Sequence, residues 1–475
     1  MYYNYCVRRI IRDRDLENKK YHFIAIGGVG MSGLAKYLLQ CGFEVTGSDI
    51  VESKYIKELK KLGGTIYIGH YASQVPQNSV VVASTAIRDS NVEIIRAKEL
   101  GLPIYHRSDL LAEISRMGKS FIGFAGTHGK TTTSGLCSYV MGLAGLKPSY
   151  VVGGIIPELH TNAECTEGNY LIAELDESDG TIVKYTPDIS VINNLEADHL
   201  DFYKNGLQSI LETFEIFLSG LKPGSKVLAG IDSAGVVKLI EGKDNIITYS
   251  ISKPADYEAR DIIYGANFTE FKLYSKGKFL TDLKIILRGQ HNVMNALAVV
   301  AALNEAGIDL ELVKPHFATF TGMGRRFQKV GEFDGITLYD DYAHHPTEIK
   351  ATLSSTVGMD GKRILAIFQP HRYTRFKNLY NEFVDSFANV DKVVITDIYA
   401  ASEDPIDGLT PERFVGDLKF KYPQIDCEYI SGTMCNVAET LYPQLKENDV
   451  VIGLGAGTIT ELCPELIKLN QKVKV

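Results

Sequence analysis

No stretch of the 475-residue chain holds the ~18–20 uninterrupted apolar residues that a bilayer crossing needs, since even ILAIFQ and VVITDIYA stop at polar side chains. An integral membrane protein is not expected. The opening MYYNYCVRRIIRDRDLENKK carries Arg and Asp where a secretory leader needs an apolar run, so no export signal is read there. There is no long basic block either: 50 Lys and Arg stand against 58 Asp and Glu, for a formal charge of −8. A surface that tracks nucleic-acid phosphates is therefore disfavoured, while small anions in local pockets remain possible. The seven cysteines (Cys6, Cys41, Cys137, Cys165, Cys427, Cys435, Cys463) show no C-x-x-C spacing. That argues against zinc and against a disulfide framework, and for a reducing cytoplasm in which they pack as small hydrophobes. Repeats of 20 to 50 residues and low-complexity segments are also missing, which disfavours a solenoid or a disordered scaffold.

What is present is an ordinary globular mixture, 45% hydrophobic and 23% charged, long enough at roughly 150 residues per domain for about three domains. Apolar strand-like segments alternate with helical patterns: HFIAIGG, a helix from about Met31, FEVTGSD, a helix near Tyr55 to Lys61, then SVVVAS. That alternation predicts a parallel sheet with crossover helices. A second series starts at SFIGFA (Ser120 to Ala125) and loosens between about Asp256 and Leu287 into an antiparallel patch, closed by the helix HNVMNALAVVAALNEAG. A third begins at ITLYDD (Ile336 to Asp341) and ends with DVVIGLGAG and a last helix. The expected fold class is α/β in three units, 21–118, 119–324 and 325–475, after a flexible extension over 1–20.

Between the strand FIGFA and a helical run lies GTHGKTTT, with Gly126, Thr127, His128, Gly129, Lys130, Thr131 and Thr132. Glycines there let successive backbone N–H groups and a helix N-terminus converge on phosphate oxygens, with Lys130 supplying charge and Thr131 a hydroxyl for Mg²⁺. The full G-x-x-x-x-G-K-T pattern is not met, because Phe124 stands five before Gly129. The strand-loop-helix context nevertheless predicts nucleotide binding. A second turn, Gly28-Val29-Gly30-Met31-Ser32-Gly33, follows HFIAI, with Asp49 placed 21 positions after Gly28 to accept from a ribose. Such glycines serve any diphosphate, and nothing in them separates UDP from NAD.

The strand YLIAELDESDG delivers Glu174, Asp176, Glu177 and Asp179 at its C-terminal end, and NLEADHLDFY adds Asp198, His199 and Asp201 at the same expected sheet edge. Mg²⁺ (or Mn²⁺) on ATP phosphates takes one or two protein oxygens with water, and an ion near a carboxylate substrate could use Glu174 with His199. Asp176, Glu177 and Asp201 are read mainly as supporting or capping groups.

Eight segments, IGGVGMSGLA, GTHGKTTT, AELDESDG, NLEADHLDFY, GQHNVMNALA, GMGRRFQ, DDYAHHPTE and FQPHRYTR, occur in the order found in Mur ligases, and together they resemble that family across all three units. The resemblance implies an N-terminal Rossmann-like domain for a UDP-sugar, a central P-loop ATPase domain with a mostly parallel sheet, and a C-terminal Rossmann-like domain for an amino acid. The activity implied is ATP-dependent joining of L-alanine to the lactyl carboxylate of UDP-N-acetylmuramate through an acyl phosphate, the first peptide-adding step of peptidoglycan precursor synthesis. It further implies that Lys130, Glu174, His199 and Arg326 are catalytic and that Thr131, Glu174 and His199 hold the metal. His291, Asn292 and Asn295 would face adenine, Arg326 the γ-phosphate, and Asp340 or Asp341 the ribose, with Arg325 left as a surface charge. The UDP-sugar would use Gly28, Gly30, Ser32 and Asp49, then His70, Ser84 and Thr85. Tyr342, His344, His345, His371, Arg372 and Arg375 would form the amino-acid pocket, since Arg presents a bidentate fork to a carboxylate.

Three other activities stay in view: a recycling ligase that attaches a preformed tripeptide to the same sugar nucleotide, a folate- or cyanophycin-type ligase, and an NAD-dependent oxidoreductase built on Gly28 to Gly33. The last leaves GTHGKTTT and the metal candidates unexplained.

Overall fold

The computed structural model describes residues 19–84, 87–200, 202–265, 268–356, 359, 361–401 and 403–473. Chain contacts divide it into two units, one of residues up to Leu287 with Asn292–Phe320, the other of Arg288–His291 with Thr321–Val475. The expected sites Thr85 and Asp201, and Cys6, lie outside the described residues.

The first unit carries two sheets. The N-terminal one is parallel throughout, in the order β3 (Thr65–Ile68), β2 (Glu44–Asp49), β1 (Lys20–Ile24), β4 (Ser79–Ala83), β5 (Ile104–His106). Its central strands β1 and β4 are buried almost throughout, the signature of a sheet covered by crossover helices, while the edge strands β3 and β5 are largely open. Those helices are α1 (Val29–Gln40), α2 (Lys54–Lys61), α3 (Val92–Glu99) and α4 (Arg107–Ser115). The chain leaves β1 toward β2 and β3, then returns to place β4 on β1's other side. The glycine turn after β1 therefore sits where the strand order reverses, the position at which open α/β sheets bind ligands.

The central sheet is mixed. Its parallel part contains β6 (Ser120–Ala125), β7 (Ser149–Ile156), β9 (Tyr170–Glu174), β10 (Ile189–Ile192), β11 (Lys226–Gly230) and β12 (Ile246–Ser250). At one edge β8 (Thr161–Glu164) runs antiparallel to β7. At the other, β13 (Tyr257–Tyr264), β14 (Thr269–Ser275) and β15 (Lys278–Ile285) form the antiparallel patch that the alternating sequence predicts. Helix α5 (Lys130–Leu143) follows β6, while α6 (Leu207–Ser219) buries Ile210, Leu211, Phe214 and Phe217, a spacing of one helical face.

The second unit holds a six-stranded sheet in the order β16 (Gln328–Phe333), β17 (Ile336–Asp341), β21 (Asp449–Leu454), β18 (Arg363–Phe368), β19 (Lys392–Ile395), β20 (Asp426–Tyr429). All its pairs are parallel except β16 with β17, so an antiparallel edge strand precedes the first strand that the sequence reading recognised.

One expectation about cysteine is overturned. Cys41, which ends α1, and Cys165, which follows β8, are joined in a disulfide across 124 positions. Packing of α1 on β8 brings their Cα atoms to 6.1 Å, and Gln40 Oε1 accepts from the Cys165 N–H at 2.9 Å. A pair so far apart in the chain leaves no local spacing signal. Cys137, Cys427 and Cys463 are buried as small hydrophobes, whereas Cys435 is exposed.

Candidate active site

The phosphate loop begins where β6 ends. Gly126 has φ +123° and Gly129 φ +84°, a backbone that favours glycine. A Cβ at Gly126 would lie 2.8 Å from Asn194 O, and one at Gly129 2.8 Å from Asn295 Oδ1. The segment after β10 clamps the loop from the side: Asn194 Oδ1 accepts from His128 N at 2.8 Å, and Asn194 Nδ2 donates to His128 O at 3.0 Å. Asn193 Nδ2 donates to Thr133 Oγ1 at 3.2 Å. Asn193 and Asn194 were missed as functional groups, because a pair of asparagines at a strand end carries no motif of its own.

Lys130 opens α5 but turns back on the loop. Its Nζ donates to Gly126 O at 2.7 Å, Thr127 O at 3.0 Å and Glu177 Oε1 at 3.0 Å. Burial pulls the ammonium toward neutrality, yet Glu177, Asp176 and Glu174 outweigh it and hold its pKa above the ordinary lysine value. Burial carries the Glu177 carboxyl the other way, up to about 7. Glu177, expected only as support, is thus the direct counter-ion of the loop lysine.

Of the metal candidates, Thr131 and Glu174 are in contact: Thr131 Oγ1 donates to Glu174 Oε2 at 2.8 Å, and Gly153 N donates to the same oxygen at 2.9 Å. His199 stands instead beside Glu177 and Asp198, its Nε2 3.9 Å from Glu177 Oε1, in a left-handed backbone conformation. A hydroxyl and a carboxylate oxygen at a helix start fit a hard cation such as Mg²⁺, with an imidazole one residue beyond the Asp198 carboxylate. Asn295 is buried against the phosphate loop and donates to Asn292 Oδ1 at 3.2 Å; His291 and Asn292 lie in the first turn of α7 (Gln290–Glu305).

At the first glycine turn, Asp49 is engaged by backbone: Oδ2 accepts from Gly27 N at 2.8 Å and Oδ1 from Val51 N at 3.2 Å. Its carboxylate therefore shapes the turn, alongside any contact with a ribose. Ser32 is buried with its hydroxyl on Val29 O. Gly33 lets α1 approach the central sheet, since a Cβ there would meet Asn162 Nδ2 at 2.7 Å, and Asn162 itself donates to Val29 O at 2.8 Å. His70 follows β3 and Ser84 follows β4, both partly buried.

A cleft joins this turn to the phosphate-loop region. Gly30 and Arg107 line it from the N-terminal sheet, and Val152, Gly153, Glu174 and Asp176 from the central one. Arg107, in the first turn of α4, makes an ion pair with Asp176. Burial opposes the charge on Asp176, but Arg107 and then Lys130 hold its carboxyl well below the usual range. Arg107 was not singled out by sequence, because it belongs to no phosphate motif.

In the second unit, Arg325 is not a surface charge: its Nε lies 3.1 Å from Asp340 Oδ2, its Nη2 donates to Gly455 O at 2.7 Å, and its guanidinium lies over the Tyr342 ring. Asp341 is buried, accepting from Phe327 N at 2.6 Å and Ala343 N at 2.7 Å, and burial raises its carboxyl to about 6. Arg326 lies 5.5 Å from the Tyr342 ring centre and 3.4 Å from Glu348. The structure brings Tyr342, His344, His371 and Arg375 together, with ring centres 5.1 Å apart for Tyr342 and His344, 5.9 Å for His344 and His371, and Arg375 Nη1 3.4 Å from His371 Nδ1. Tyr399, unnoticed in sequence, stacks on His371 at 5.4 Å. Burial, then His344 and Arg375, push the His371 pKa down to about 3, so the ring is neutral. His345 caps α8 (Pro346–Ser354) through Thr347 N, with Glu348 returning the bond. Arg372 sits 3.6 Å from Glu403.

Family profiles cover this arrangement end to end: "Mur ligase family, catalytic domain" over 20–119, "Mur ligase middle domain" over 124–303, and "Mur ligase, glutamate ligase domain" over 325–457. The chain belongs to the Mur ligase family. Among Mur ligases it is 41% identical to a UDP-N-acetylmuramate–L-alanine ligase of Geotalea daltonii, over 95% of this chain and 98% of that one. It is likewise 41% identical to the enzyme of that name from Caldanaerobacter subterraneus, over 96% and 99%. A crystal structure of UDP-N-acetylmuramate-alanine ligase MurC from Thermotoga maritima superposes with a TM-score of 0.82 at 28% identity, covering 96% of this chain and 99% of that one. A murein peptide ligase from Psychrobacter arcticus shares the fold, with a TM-score of 0.68 at 21% identity and 95% and 98% coverage. The glycine turn, the phosphate loop and the aromatic-cationic group each fall within a different one of the three Mur ligase profiles.

Proposed function

We propose that this Mur ligase joins L-alanine to UDP-N-acetylmuramate at the expense of ATP, as a cytoplasmic enzyme of peptidoglycan precursor synthesis. The observation that carries the reading is the cleft in which Glu174 takes part both in the phosphate-loop cluster, through Thr131, and in the lining shared with Gly30 of the first glycine turn and Arg107 of α4. A sugar-nucleotide carboxylate and an ATP γ-phosphate have to meet in one place, and this cavity runs from Gly30 of the glycine turn to Glu174, the carboxylate that Thr131 of the phosphate loop engages. No helix among the described residues is long and apolar enough to cross a membrane.

The lactyl carboxylate attacks the γ-phosphorus, ADP leaves, and the amine of alanine then attacks the acyl phosphate and releases phosphate. Thr131, Glu174 and His199 would hold Mg²⁺, which would neutralise phosphate charge there. Lys130 is kept protonated by its carboxylate neighbours and exchanges loop carbonyls for phosphate oxygens, while the loop N–H groups and the start of α5 orient them. Asn295, packed beside Gly129 of the loop, and its partner Asn292 border the nucleotide. In the second unit Arg375, with Tyr342, His344 and His371 around it, receives the alanine carboxylate. Released ADP, measured with UDP-N-acetylmuramate and each of alanine, glycine, serine and a tripeptide, tests the assignment. Turnover with alanine well above the others is expected, and turnover with the tripeptide alone would replace it with the recycling activity.

A further inference from the structure

The residues of α1 that meet the edge of the central sheet are Val29, Gly33, Lys36 and Gln40, which share one side of a helix. Asn162 Nδ2, on β8, donates to Val29 O at 2.8 Å, and a Cβ on Gly33 would meet the same amide nitrogen at 2.7 Å. Lys36 Nζ donates to Thr161 Oγ1 at 2.7 Å, and Gln40 Oε1 accepts from Cys165 N at 2.9 Å. Just past the helix this seam changes character, because Cys41 and Cys165 close it with a covalent bond. Cys137, Cys427, Cys435 and Cys463 stay free, and the ligase chemistry has no use for the one disulfide that forms among the described residues.

Both cysteines are held in place by groups other than the bond itself. Cys41 N donates to Tyr37 O at 3.0 Å. Thr166 N, next to Cys165, donates to Ser149 Oγ at 2.9 Å, and Lys119 Nζ donates to Thr166 O at 2.9 Å. Together with Gln40 on Cys165 N, these bonds keep the two Cα atoms 6.1 Å apart, within the span that a disulfide bridges without backbone movement. The pair therefore opens and closes with little rearrangement. Cys41 is 5% exposed, whereas Cys165 is half-buried in a loop that reaches the surface at Glu167. A small thiolate thus meets the Cys165 sulfur first.

The elements joined are those that shape the cleft. Helix α1 begins at the glycine turn, and β7, the antiparallel partner of β8, contributes Val151, Val152 and Gly153 to the lining. Gly153 N donates to Glu174 Oε2 at 2.9 Å. A helix of 12 residues is a rod about 18 Å long, so fixing its last turn fixes the direction in which its first turn presents N–H groups. The hydrogen bonds of the seam can each exchange with water, and the Cys41–Cys165 bond cannot.

We infer that Cys41 and Cys165 form a reversible redox clamp, a thiol pair whose oxidation pins α1 to β8 and tightens the glycine-turn end of the cleft. In a thiol-buffered cytoplasm a disulfide of this kind is transient and redox-sensing rather than a permanent staple. To open it, the thiolate of a low-molecular-weight thiol attacks Cys165 Sγ, the S–S bond breaks, and Cys41 leaves as a thiolate that takes up a proton. A second small thiolate then attacks the small-molecule sulfur of the mixed disulfide, releasing a small disulfide and the Cys165 thiolate, which is protonated in turn. Two electrons pass from two small thiols to the protein, and exchange with a small disulfide returns them. The clamp rests on the geometry of α1 and β8 alone, and its effect on substrate binding rests on the ligase assignment.

Full-length protein equilibrated with reduced and oxidised glutathione, from strongly reducing to strongly oxidising ratios, tests it, with peptide mass spectrometry reporting which cysteines are joined. The Cys41 and Cys165 peptides should be linked at the oxidising end, free at the reducing end, and interconvert in both directions. The oxidised protein should melt at least about 3 °C higher, because the bond closes a loop across 124 positions. Its KM for UDP-N-acetylmuramate should be at least about threefold lower, with kcat and the KM for ATP little moved, because a pinned helix has less to order on binding. Cys41→Ser and Cys165→Ser should each abolish both differences, and Cys435→Ser, which removes the exposed thiol, should keep them. Linkage of other cysteines instead, a pair that stays in one state across the whole range, or equality of either the melting temperatures or the KM values would overturn the inference while the ligase assignment stands. Absence of turnover in both states would overturn the ligase assignment and the KM effect with it, and linkage and melting would then decide the clamp.

Discussion

Replacing Lys130 by alanine removes the cation that a phosphate loop uses, and on sequence grounds alone the fold should tolerate the change, because such loops face solvent. The structure gives a different expectation. Lys130 and Glu177 are both buried, 11% and 1% exposed, with Nζ 2.9 Å from Glu177 Oε2. At that separation an effective dielectric of about 20 corresponds to an attraction of about 6 kcal/mol, most of it offset in the native pair by desolvation. Deleting one partner leaves the desolvation of the other uncompensated, a loss of roughly 3–5 kcal/mol in typical buried pairs. Glu177 has an escape, since burial already raises its carboxyl to about 7 and losing Lys130 raises it further. A group that binds protons more tightly when folded costs stability as pH rises above its unfolded value of 4.5, at up to about 1.4 kcal/mol per pH unit until its folded pKa is passed. Lys130→Ala should therefore abolish ADP release, and its stability deficit relative to wild type should widen from pH 5.5 to pH 8.5. The double variant Lys130→Ala, Glu177→Gln should recover most of the stability at high pH and none of the activity. Urea unfolding of the three proteins across that range decides it. A deficit under about 0.5 kcal/mol that does not change with pH would refute the reasoning.

Gly126→Ala should impair ATP binding and lower stability by more than about 1 kcal/mol, because φ is +123° and the new Cβ meets Asn194 backbone rather than a movable side chain; nucleotide titration with thermal unfolding checks both. Glu174→Ala should raise the Mg²⁺ concentration for half-maximal rate severalfold with little change in Mg²⁺-free nucleotide binding, and an unchanged Mg²⁺ dependence would leave Glu174 with only its bonds to Thr131 and Gly153. Arg375→Lys should raise the KM for alanine at least about tenfold with ATP and sugar-nucleotide constants little moved, and Arg372→Lys should do less, since Arg372 is already paired near Glu403; steady-state kinetics varying each substrate in turn separates the two.

The parts of this protein that are written locally were legible without coordinates. An apolar strand, a glycine turn and a helix within about 15 residues announce both β6-loop-α5 and β1-turn-α1, because backbone geometry and amide direction there depend on neighbouring residues alone. The same holds for the antiparallel patch, read from two-residue alternation, and for carboxylates delivered to strand ends. What the chain could not show locally is which distant groups neutralise one another. Glu177 looked like a supporting acid and is the partner of Lys130; Asn193 and Asn194 looked like the end of a strand and clamp the loop 65 residues upstream. Asp49 looked free for a ribose and is bonded to the glycine turn. Arg107 with Asp176, Cys41 with Cys165, and Glu93 with His70 have no common motif, because each pair joins elements that meet only when helices pack on sheets. Charge compensation in a buried site is a property of three-dimensional proximity, since the cost of removing an ion from water is repaid only by whatever lies within a few ångströms. The sequence thus determined the chemistry that converges at the strand ends, and the tertiary structure decided which of those groups are held ready for a ligand and which are spent holding each other.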